Sequence, residues 1–477
     1  MSFNSLDYVF FLIVVVTLYF SIPHRFRWVL LLVASYYFYM CWRADYIILI
    51  VVSTLIDYFA GLAIGAAKRS SWKKAFLALS LTSNLGLLLF FKYYTFINAN
   101  IEALLGQFNI FYDAPAFGFL LPVGISFYTF QSMSYTIDVY RGQKTPEKHL
   151  GVFALYIAYF PQLVAGPIER STNLFPQLFK KHDFDANRVV EGLRLILWGM
   201  FKKVVIADRL AAFVEVAYNN VGLHAAPTAL LAAYFFAIQV YCDFSGYSDI
   251  ALGSAKLMGV ELMVNFNKIY WSQSVTEYWR RNHVSLTTWF RDYVYIPLGG
   301  GRVPTWRKYL NVLIVFFVSG LWHGANWTYV FWGTLNGVYL VYELATKKLR
   351  QRVEAVCRFG RFPRLKQAVR MFMTFNLIAL GLIFFRARSM SDAFTILKII
   401  ATPPWGPLYL GSPGVFFYGL FGVAALFAVE YVQKDMRLEV AIGKQGPLFR
   451  WGFYLFCLMS ILLFGVFDGG QFIYFQF

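Results

Sequence analysis

The 477-residue chain is short of charged side chains. Asp, Glu, Lys and Arg together make up 14% of it, whereas 59% of the residues are hydrophobic. Soluble globular domains carry about 25% charged residues, which they need to cover their surface. The mean hydropathy is +0.54, and the apolar stretches run from end to end with no long polar region between them. The sequence therefore predicts a single membrane domain, residues 1–477, rather than a string of soluble domains.

Cysteine pairs and hydrolase signatures are also missing. The four cysteines, Cys41, Cys242, Cys357 and Cys457, lie far apart with no C-x-x-C, so they predict neither a disulfide framework nor a zinc site. No G-x-S-x-G or H-E-x-x-H motif occurs, which leaves a serine hydrolase or zinc protease without support. The first apolar run follows Asp7 rather than a basic region, so we expect it to remain as a transmembrane helix instead of being cleaved as a signal peptide.

Positive charge, in contrast, is abundant. The 43 Lys and Arg exceed the 25 Asp and Glu, which gives a net charge of +18. This excess suggests nucleic-acid binding, but the basic residues lie in short loops between apolar segments, where they follow the positive-inside rule and meet anionic lipid headgroups. The predicted partner of the charge is therefore membrane lipid and not nucleic acid. The loops expected to face the cytoplasm are His24–Arg27, Lys68–Lys74, Arg141–Lys148, Lys347–Arg370 and Lys434–Arg450. Their alternation with loops poor in basic residues places both termini outside.

The apolar segments predict an all-α, polytopic transmembrane helix bundle of about eleven spans. A span needs about 20 apolar residues, so some segments are short, and we expect several in the middle of the chain to be re-entrant or interfacial. The segments are Tyr8–Ile22, Val29–Trp42, Tyr46–Ala67, Ala75–Ile97, Phe117–Tyr140, Val152–Ala165, Leu193–Ala217, Thr228–Leu252, Tyr309–Leu321, Trp327–Leu344, Phe372–Phe385, Val415–Val432 and Trp451–Phe467.

The region from Leu163 to Trp332 interrupts this apolar pattern with polar, charged, Pro and Gly residues. Irregular backbone at membrane depth is tolerated only where protein buries it or water fills a cavity. We therefore predict that this region is the interior of the protein and holds the functional site, with a catalytic core at about residues 120–345. Its stretch FPQLVAGPIER (Phe160 to Arg170) predicts a broken helix.

Two of the six histidines are candidates for chemistry. His323 lies in SGLWHGANW between two apolar segments, and His283 lies in TEYWRRNHVSLTTWFRDYVYIPLGG. Ionisable groups inside a membrane usually mark a site, and imidazole suits acid–base work near neutral pH. The alternative is an imidazole that only hydrogen-bonds inside the bundle. We expect the other four to be solvated: His24, His149, His182 and His224.

Small residues surround His323, namely Ser319, Gly320, Gly324 and Ala325. They predict room for a substrate beside the imidazole. Neither His283 nor His323 has a second ligand residue three or four positions on, so no metal is predicted and no bound cofactor is expected.

Charged residues cluster around His283. Arg280, Arg281 and Arg291 predict a basic entrance for an anionic thioester carrier, either coenzyme A or a phosphopantetheine arm, because the guanidinium fork binds phosphate well. The alternative is an interfacial segment whose arginines reach lipid phosphates. Asp243 and Asp249, in QVYCDFSGYSDIALG, are expected to pair with nearby arginines.

These motifs resemble the membrane-bound O-acyltransferases. The resemblance rests on LPVGISFYTFQSMSYTIDVYRG, FPQLVAGPIER, DFSGYSD, EYWRRNHVSLTTWFRDYVYIPLGG, GLWHGANWTYVFWG and the terminal FIYFQF, in that order. More narrowly, the motifs resemble the bacterial branch that O-acetylates alginate, peptidoglycan or cellulose, or D-alanylates teichoic acids. It implies a central funnel and tunnel, His323 as the catalytic base, and His283 as a second catalytic residue that orients the donor or polarises its carbonyl. Trp322 and Asn326, which flank His323, join the arginines as predicted donor-binding residues.

The resemblance also implies the cellular setting. An acyl group, in this branch an acetyl group from acetyl-CoA or another acyl thioester, would cross the bacterial inner membrane for O-acetylation of an exopolysaccharide such as alginate. The implied partners are an extracytoplasmic serine acetyltransferase and a polysaccharide synthase complex. Two other functions stay open at this point: a transporter for a lipid-linked sugar, which the broken helices and polar interior suggest, and a structural scaffold in a synthase complex.

Overall fold

The computed structural model describes residues 1–113, 115, 120–164, 166–356, 362–467 and 472–473. Twenty-two α-helices, joined in places by short 3₁₀ and π turns, and no strand occur among these residues. The all-α prediction is therefore confirmed. Phe117 and Ala165, at the ends of two predicted spans, lie outside the described residues, as does Cys357.

The contacts divide the chain into two compact units. The first consists of Met1–Leu193 with Ala251–Met263, and the second of Arg194–Ile250 with Val264–Phe477. The predicted single domain and its core at residues 120–345 stay predictions.

Nine complete helices lie in the described residues of the first unit. They are α1 (Leu6–Ser21), α2 (His24–Met40), α3 (Ile47–Ala66), α4 (Ser70–Leu88), α5 (Tyr94–Gly106), α6 (Ile125–Tyr140), α7 (Leu150–Ala158), α8 (Phe160–Leu163) and α9 (Ser171–Phe179). Residues of α10 (Ala186–Met200) and α12 (Ala226–Leu257) belong to both units.

The second unit contains eleven complete helices in its described part. They are α11 (Asp208–Asn219), α13 (Val275–Arg281), α14 (Val284–Phe290), α15 (Thr305–His323), α16 (Trp327–Ala345), α17 (Lys347–Val356), α18 (Pro363–Arg386), α19 (Met390–Ala401), α20 (Pro413–Gln433), α21 (Leu438–Gly443) and α22 (Pro447–Phe464).

Six helical stretches in the described chain are long and apolar enough to cross a membrane. They are Ala44–Ala66, Ser70–Gly106, Ala226–Leu257, Pro363–Arg386, Pro413–Gln433 and Pro447–Phe464, and each overlaps a predicted span. By the length and composition of the described helices, the predicted count of eleven spans is not reached. Leu6–Ser21 is apolar but has only 16 residues, and the predicted span Val152–Ala165 is interrupted at Tyr159, between α7 and α8. Pro161 in the first turn of α8 explains this break, because proline has no N–H to donate to the carbonyl four residues earlier and its ring clashes with that carbonyl.

A buried carboxylate fixes the packing of helices in the first unit. Asp57 on α3 is fully buried and accepts hydrogen bonds from Ser80 Oγ at 2.6 Å and from Asn84 Nδ2 at 2.9 Å, both on α4. Ser80 Oγ also lies 2.9 Å from Thr136 Oγ1 on α6. An acidic group inside an apolar helix needs such donors, because lipid offers none. The network therefore holds α3, α4 and α6 in one register, a role that the sequence reading missed.

In the second unit, α15 and α16 approach closely through glycine. A Cβ atom added to Gly333 would lie 2.4 Å from the Phe316 carbonyl oxygen, and one added to Gly320 would lie 2.4 Å from the Tyr329 carbonyl oxygen. Small residues allow this kind of close helix packing in membranes. The space beside Gly324 is also occupied, because a Cβ atom added there would lie 2.2 Å from the ring of Tyr329. Gly320 and Gly324 therefore do not leave the room for a substrate that the sequence predicted, because α16 occupies the space beside them.

Two buried lysines lie in the π turn Phe201–Ala207 between α10 and α11. Lys203 Nζ contacts Asp208 Oδ1 at 2.7 Å and Asp243 Oδ1 at 2.6 Å. Lys202 Nζ contacts Asp249 Oδ2 at 2.7 Å. Asp243 and Asp249 are thus paired as expected, but their partners are lysines and not arginines. The lysines were overlooked because they sit inside an apolar run.

The described end of the chain, Phe472 and Ile473, is buried in the second unit. The Ile473 backbone N–H donates to Asp243 Oδ2 at 2.8 Å. The Phe472 ring lies 5.5 Å from the ring of Phe244, which in turn lies 4.7 Å from the His283 ring, centroid to centroid. The other residues of the terminal FIYFQF motif, 474–477, lie outside the described residues.

Candidate functional site

The structure brings His283 and His323 together inside the second unit. The two ring centroids are 6.5 Å apart, at an interplanar angle of 72°. The two residues are 2% and 4% exposed. Residues that are 40 positions apart in the sequence therefore line one buried site, as their separate motifs suggested.

His323 is the last residue of α15 and is enclosed by aromatic rings. Its ring centroid lies 4.9 Å from those of Trp322 and Trp332 and 5.6 Å from that of Phe385. The backbone of the next residue, Gly324, is extended, with φ −165° and ψ 150°. This ends the helix at His323, and the rings keep the imidazole in an apolar environment.

His283 lies in the sharp turn between α13 and α14. Its backbone is left-handed, with φ 46° and ψ 52°, a region that non-glycine residues seldom adopt and that is often found at functional sites. The turn is held by Asn265, whose backbone oxygen accepts a hydrogen bond from the Val284 N–H at 3.0 Å. The side chain of Asn265 reaches the same turn, since its Oδ1 accepts from the Ser285 N–H at 3.1 Å.

A small cavity lies against both histidines. Its other lining residues are Val240, Tyr241, Phe244, Phe266, Ile269, Tyr278, Trp279, Asn282, Trp332, Leu382 and Phe385. None of them is charged, and most are aromatic. Such a lining suits a small apolar group, and its low polarity strengthens any electrostatic interaction inside.

Sequence reasoning missed most of the cavity wall. Five of the lining residues stand inside the motifs that carry the family resemblance, which was the available signal: Phe244, Tyr278, Trp279, Asn282 and Trp332. Leu382 and Phe385 come from α18, far along the chain in an ordinary apolar segment. Nothing in their local sequence distinguishes them from lipid-facing residues.

Burial also sets the ionisation of His283, which lies outside the six candidate membrane spans. Desolvation lowers its pKa to about 3, because the charged imidazolium loses its water. The side chain is therefore neutral at physiological pH. A neutral imidazole has one donor and one acceptor nitrogen, so it can accept a proton or a hydrogen bond.

The predicted donor-binding arginines do not line the cavity. Arg280 is exposed, Arg281 pairs with Glu277 at 2.6 Å, and Arg291 pairs with Asp292 at 2.7 Å. They lie on the elements that flank His283, namely α13 and the π turn that follows α14. Their assignment to the donor stays a prediction.

Of the two residues that flank His323, Trp322 is buried, with its ring 6.1 Å from that of His283. Asn326 is the N-cap of α16: its Oδ1 accepts from the Thr328 N–H at 3.0 Å, and its Nδ2 donates to the Arg388 carbonyl at 3.4 Å. These contacts give Asn326 a structural role. Over the described ranges, no group of three His, Cys, Asp or Glu side chains is arranged to hold a metal ion.

Comparison with known proteins now adds to this geometry. The family model described as MBOAT, membrane-bound O-acyltransferase family, matches residues 148–384, which include both histidines. A probable alginate O-acetylase of Pseudomonas aeruginosa is 40% identical over 405 residues, which cover 83% of this chain and 74% of the relative. The chain belongs to the membrane-bound O-acyltransferase family. It is thus an integral membrane enzyme that transfers acyl groups to oxygen.

Other relatives of this acyltransferase carry different names. A peptidoglycan O-acetyltransferase of Helicobacter pylori is 32% identical over 400 residues, covering 77% of this chain and 72% of the relative. A teichoic acid D-alanyltransferase of Streptococcus thermophilus is 30% identical over 282 residues, covering 55% of this chain and 68% of the relative. The family is therefore common to relatives with three different acceptors.

Proposed function

We propose that this acyltransferase takes an acetyl group from acetyl-CoA or another cytosolic acyl thioester and passes it across the bacterial inner membrane for O-acetylation of an exopolysaccharide such as alginate. The single observation that carries the chemistry is the pair of buried histidines on one aromatic cavity. The acceptor is supported by the relative named alginate O-acetylase, which matches at higher identity than those named for peptidoglycan and teichoic acid.

In the proposed reaction, His323 is the general base. Its imidazole takes the proton of a hydroxyl group as the hydroxyl oxygen attacks the thioester carbonyl. The new C–O bond forms, the C–S bond breaks, and the proton passes to the leaving thiolate. The apolar rings around His323 keep competing water away from the reacting groups. His283 is the second catalytic residue on the same cavity.

The proposed partners follow from the direction of transfer. The acyl group enters from the cytosol, whereas the polymer is made outside, so an extracytoplasmic serine acetyltransferase and a polysaccharide synthase complex would receive it. The experiment is transfer of label from [¹⁴C]acetyl-CoA in membranes that contain this protein and its partner, with polymannuronate or peptidoglycan fragments as acceptors. Label on polymannuronate supports the proposal. Label on peptidoglycan alone would contradict alginate as the acceptor and identify peptidoglycan instead. No transfer to any acceptor would contradict the proposed function.

Donor binding gives a kinetic prediction for the arginines that flank His283. If they attract the phosphates of the carrier, charge reversal should raise the KM for the donor more than it lowers kcat, because phosphates are a non-reacting part of the donor. Arg280→Glu should have the largest effect, since Arg281 and Arg291 already pair with carboxylates. Lys68→Glu, in a basic loop of the first unit, is the control. Unchanged KM values in Arg280→Glu, Arg281→Glu and Arg291→Glu would contradict the assignment.

The proposed orientation places both termini outside and the loops 68–74 and 347–370 in the cytoplasm. After replacement of the native cysteines, Ser70→Cys should resist an impermeant maleimide in intact cells and react after the cells are opened. Thr402→Cys, in a loop predicted to be outside, should react in intact cells. Labelling of Ser70→Cys in intact cells would show that this loop faces outside and would contradict the proposed topology.

A further inference from the structure

The contacts of Asn265 establish which of its side-chain atoms faces the His283 turn. The Ser285 backbone N–H points at Asn265 Oδ1 from 3.1 Å, and the Ser285 hydroxyl donates to the same atom at 2.9 Å. A backbone N–H can only donate, so the atom that it meets must be the amide oxygen and not the amide nitrogen. This contact removes the usual ambiguity in the orientation of an asparagine side chain.

The same oxygen then identifies the protonated nitrogen of His283. His283 Nδ1 lies 3.2 Å from Asn265 Oδ1. Because a carbonyl oxygen accepts and never donates, Nδ1 must carry the hydrogen. In a neutral imidazole the other nitrogen, Nε2, then holds the lone pair.

We infer that Asn265 is a positioning residue that holds His283 in its Nδ1–H tautomer, so that Nε2 accepts a hydrogen bond from a hydroxyl group of the acyl acceptor. This inference rests on the proposed acyl transfer for the identity of the hydroxyl. It changes the role expected from the sequence, in which His283 orients the donor or polarises its carbonyl. A neutral imidazole whose only N–H is given to Asn265 has no hydrogen to offer a carbonyl.

The choice of asparagine over aspartate fits this role. Asn265 is 1% exposed, and within the described structure its Nδ2 has no hydrogen-bond partner. An aspartate would accept the same three hydrogen bonds without leaving a buried N–H unpaired. It would also place a negative charge against the imidazole and favour the protonated form. Asparagine supplies the acceptor and leaves His283 neutral.

Few other groups can influence the charge of His283. The titratable residues that face the same cavity are His323 on α15, Tyr241 on α12 and Tyr278 on α13. Among the described residues, no Asp, Glu, Lys or Arg lines it. A carboxylate introduced at position 265 would therefore add a formal negative charge beside this imidazole.

The tautomer can be read without any assay of activity. Solid-state ¹⁵N NMR of protein labelled with ¹⁵N-histidine in proteoliposomes, with His283→Gln to identify the His283 signals, should show a protonated Nδ1 and an unprotonated Nε2. A protonated Nε2 would overturn the inference. Since this measurement needs no substrate, a failure of the transfer assay would contradict the proposed function and not the tautomer.

The second arm follows the same ¹⁵N signals as the pH is lowered. Asn265→Asp keeps the acceptor oxygen and adds a negative charge, so it should raise the pKa of His283 and move the titration of its signals to higher pH by about one unit or more. Ser285→Ala is the matched control, because it removes a hydroxyl from the same oxygen but keeps the backbone N–H. Its His283 titration should stay in place. An unmoved titration in Asn265→Asp, or an equal move in both variants, would contradict the role of Asn265.

Discussion

Replacing His323 with alanine should lower kcat at least about a hundredfold while the protein stays folded. General-base catalysis contributes about 10²–10⁴-fold, and a hundredfold loss corresponds to about 2.7 kcal/mol of transition-state stabilisation. The loss should appear in kcat, because the base acts as the hydroxyl attacks and not when the donor binds. The measurement is the initial rate of acetyl transfer at saturating acetyl-CoA, with thermal unfolding of the purified variant as the check on folding.

The matched control for this substitution is His224→Ala. His224 lies in the connection between α11 and α12 and is not among the residues that line the cavity of His323. It should retain wild-type turnover. His283→Ala should also lose activity, with a larger share of the loss in the KM for the acceptor, since we infer that His283 binds the acceptor hydroxyl. A folded His323→Ala protein with near wild-type kcat would refute the assignment of the base.

The largest expected effect on stability is that of Lys203→Met. Lys203 is the cation between Asp208 and Asp243, and its side chain is 2% exposed. Removing one partner of a buried ion pair costs about 3–5 kcal/mol, because the remaining charge is left without compensation. Here two carboxylates would remain, and one of them, Asp243, also accepts the N–H of Ile473. The variant should unfold at a much lower temperature in detergent, as followed by tryptophan fluorescence.

Two further variants make this prediction specific. Lys256→Met removes the partner of Glu191, whose side chain is 32% exposed, so we expect a loss below about 1 kcal/mol. Combining Lys203→Met with Asp208→Asn and Asp243→Asn removes all three charges and keeps an acceptor for Ile473. This triple variant should recover most of the lost stability. Equal melting temperatures for the wild type and Lys203→Met would contradict the structural role of the cluster.

The motifs predicted the polar half of the candidate site, and the fold supplied the rest. His283 and His323 stand out in the sequence because imidazole is rare among apolar segments. Phe385 and Leu382 do not, because an apolar residue that lines a cavity and one that faces lipid look alike in a single sequence. Only the packing of α18 against the rest of the second unit places them beside His323.

The errors in the sequence reading have a common physical origin. The glycines next to His323 were read as open space, whereas they allow α16 to pack closely, and composition cannot separate these two uses of a small residue. The partners of Asp243 and Asp249 were expected among the arginines, which are prominent in the motifs. Lys202 and Lys203 lie in a π turn inside an apolar segment, so the sequence does not mark them as partners. Their pairing with buried carboxylates allows them to lie in that apolar segment.

The role of Asn265 shows what a sequence cannot reveal even when the motif is recognised. Asn265 is 18 positions from His283 and lies outside the quoted motifs. Its effect depends on the direction of a side-chain amide and on a turn with a left-handed residue. Neither feature has a periodicity or composition that could be read in advance.

The central claim is that acyl transfer takes place in the cavity between His283 and His323. The most direct test is an experimental structure of this protein with S-acetonyl-CoA, a stable thioether whose ketone stands in for the acetyl thioester. Our account predicts that the ketone lies in the aromatic cavity between the two imidazoles, with the phosphates toward the arginines beside His283. A ketone bound elsewhere, with the cavity empty, would contradict it.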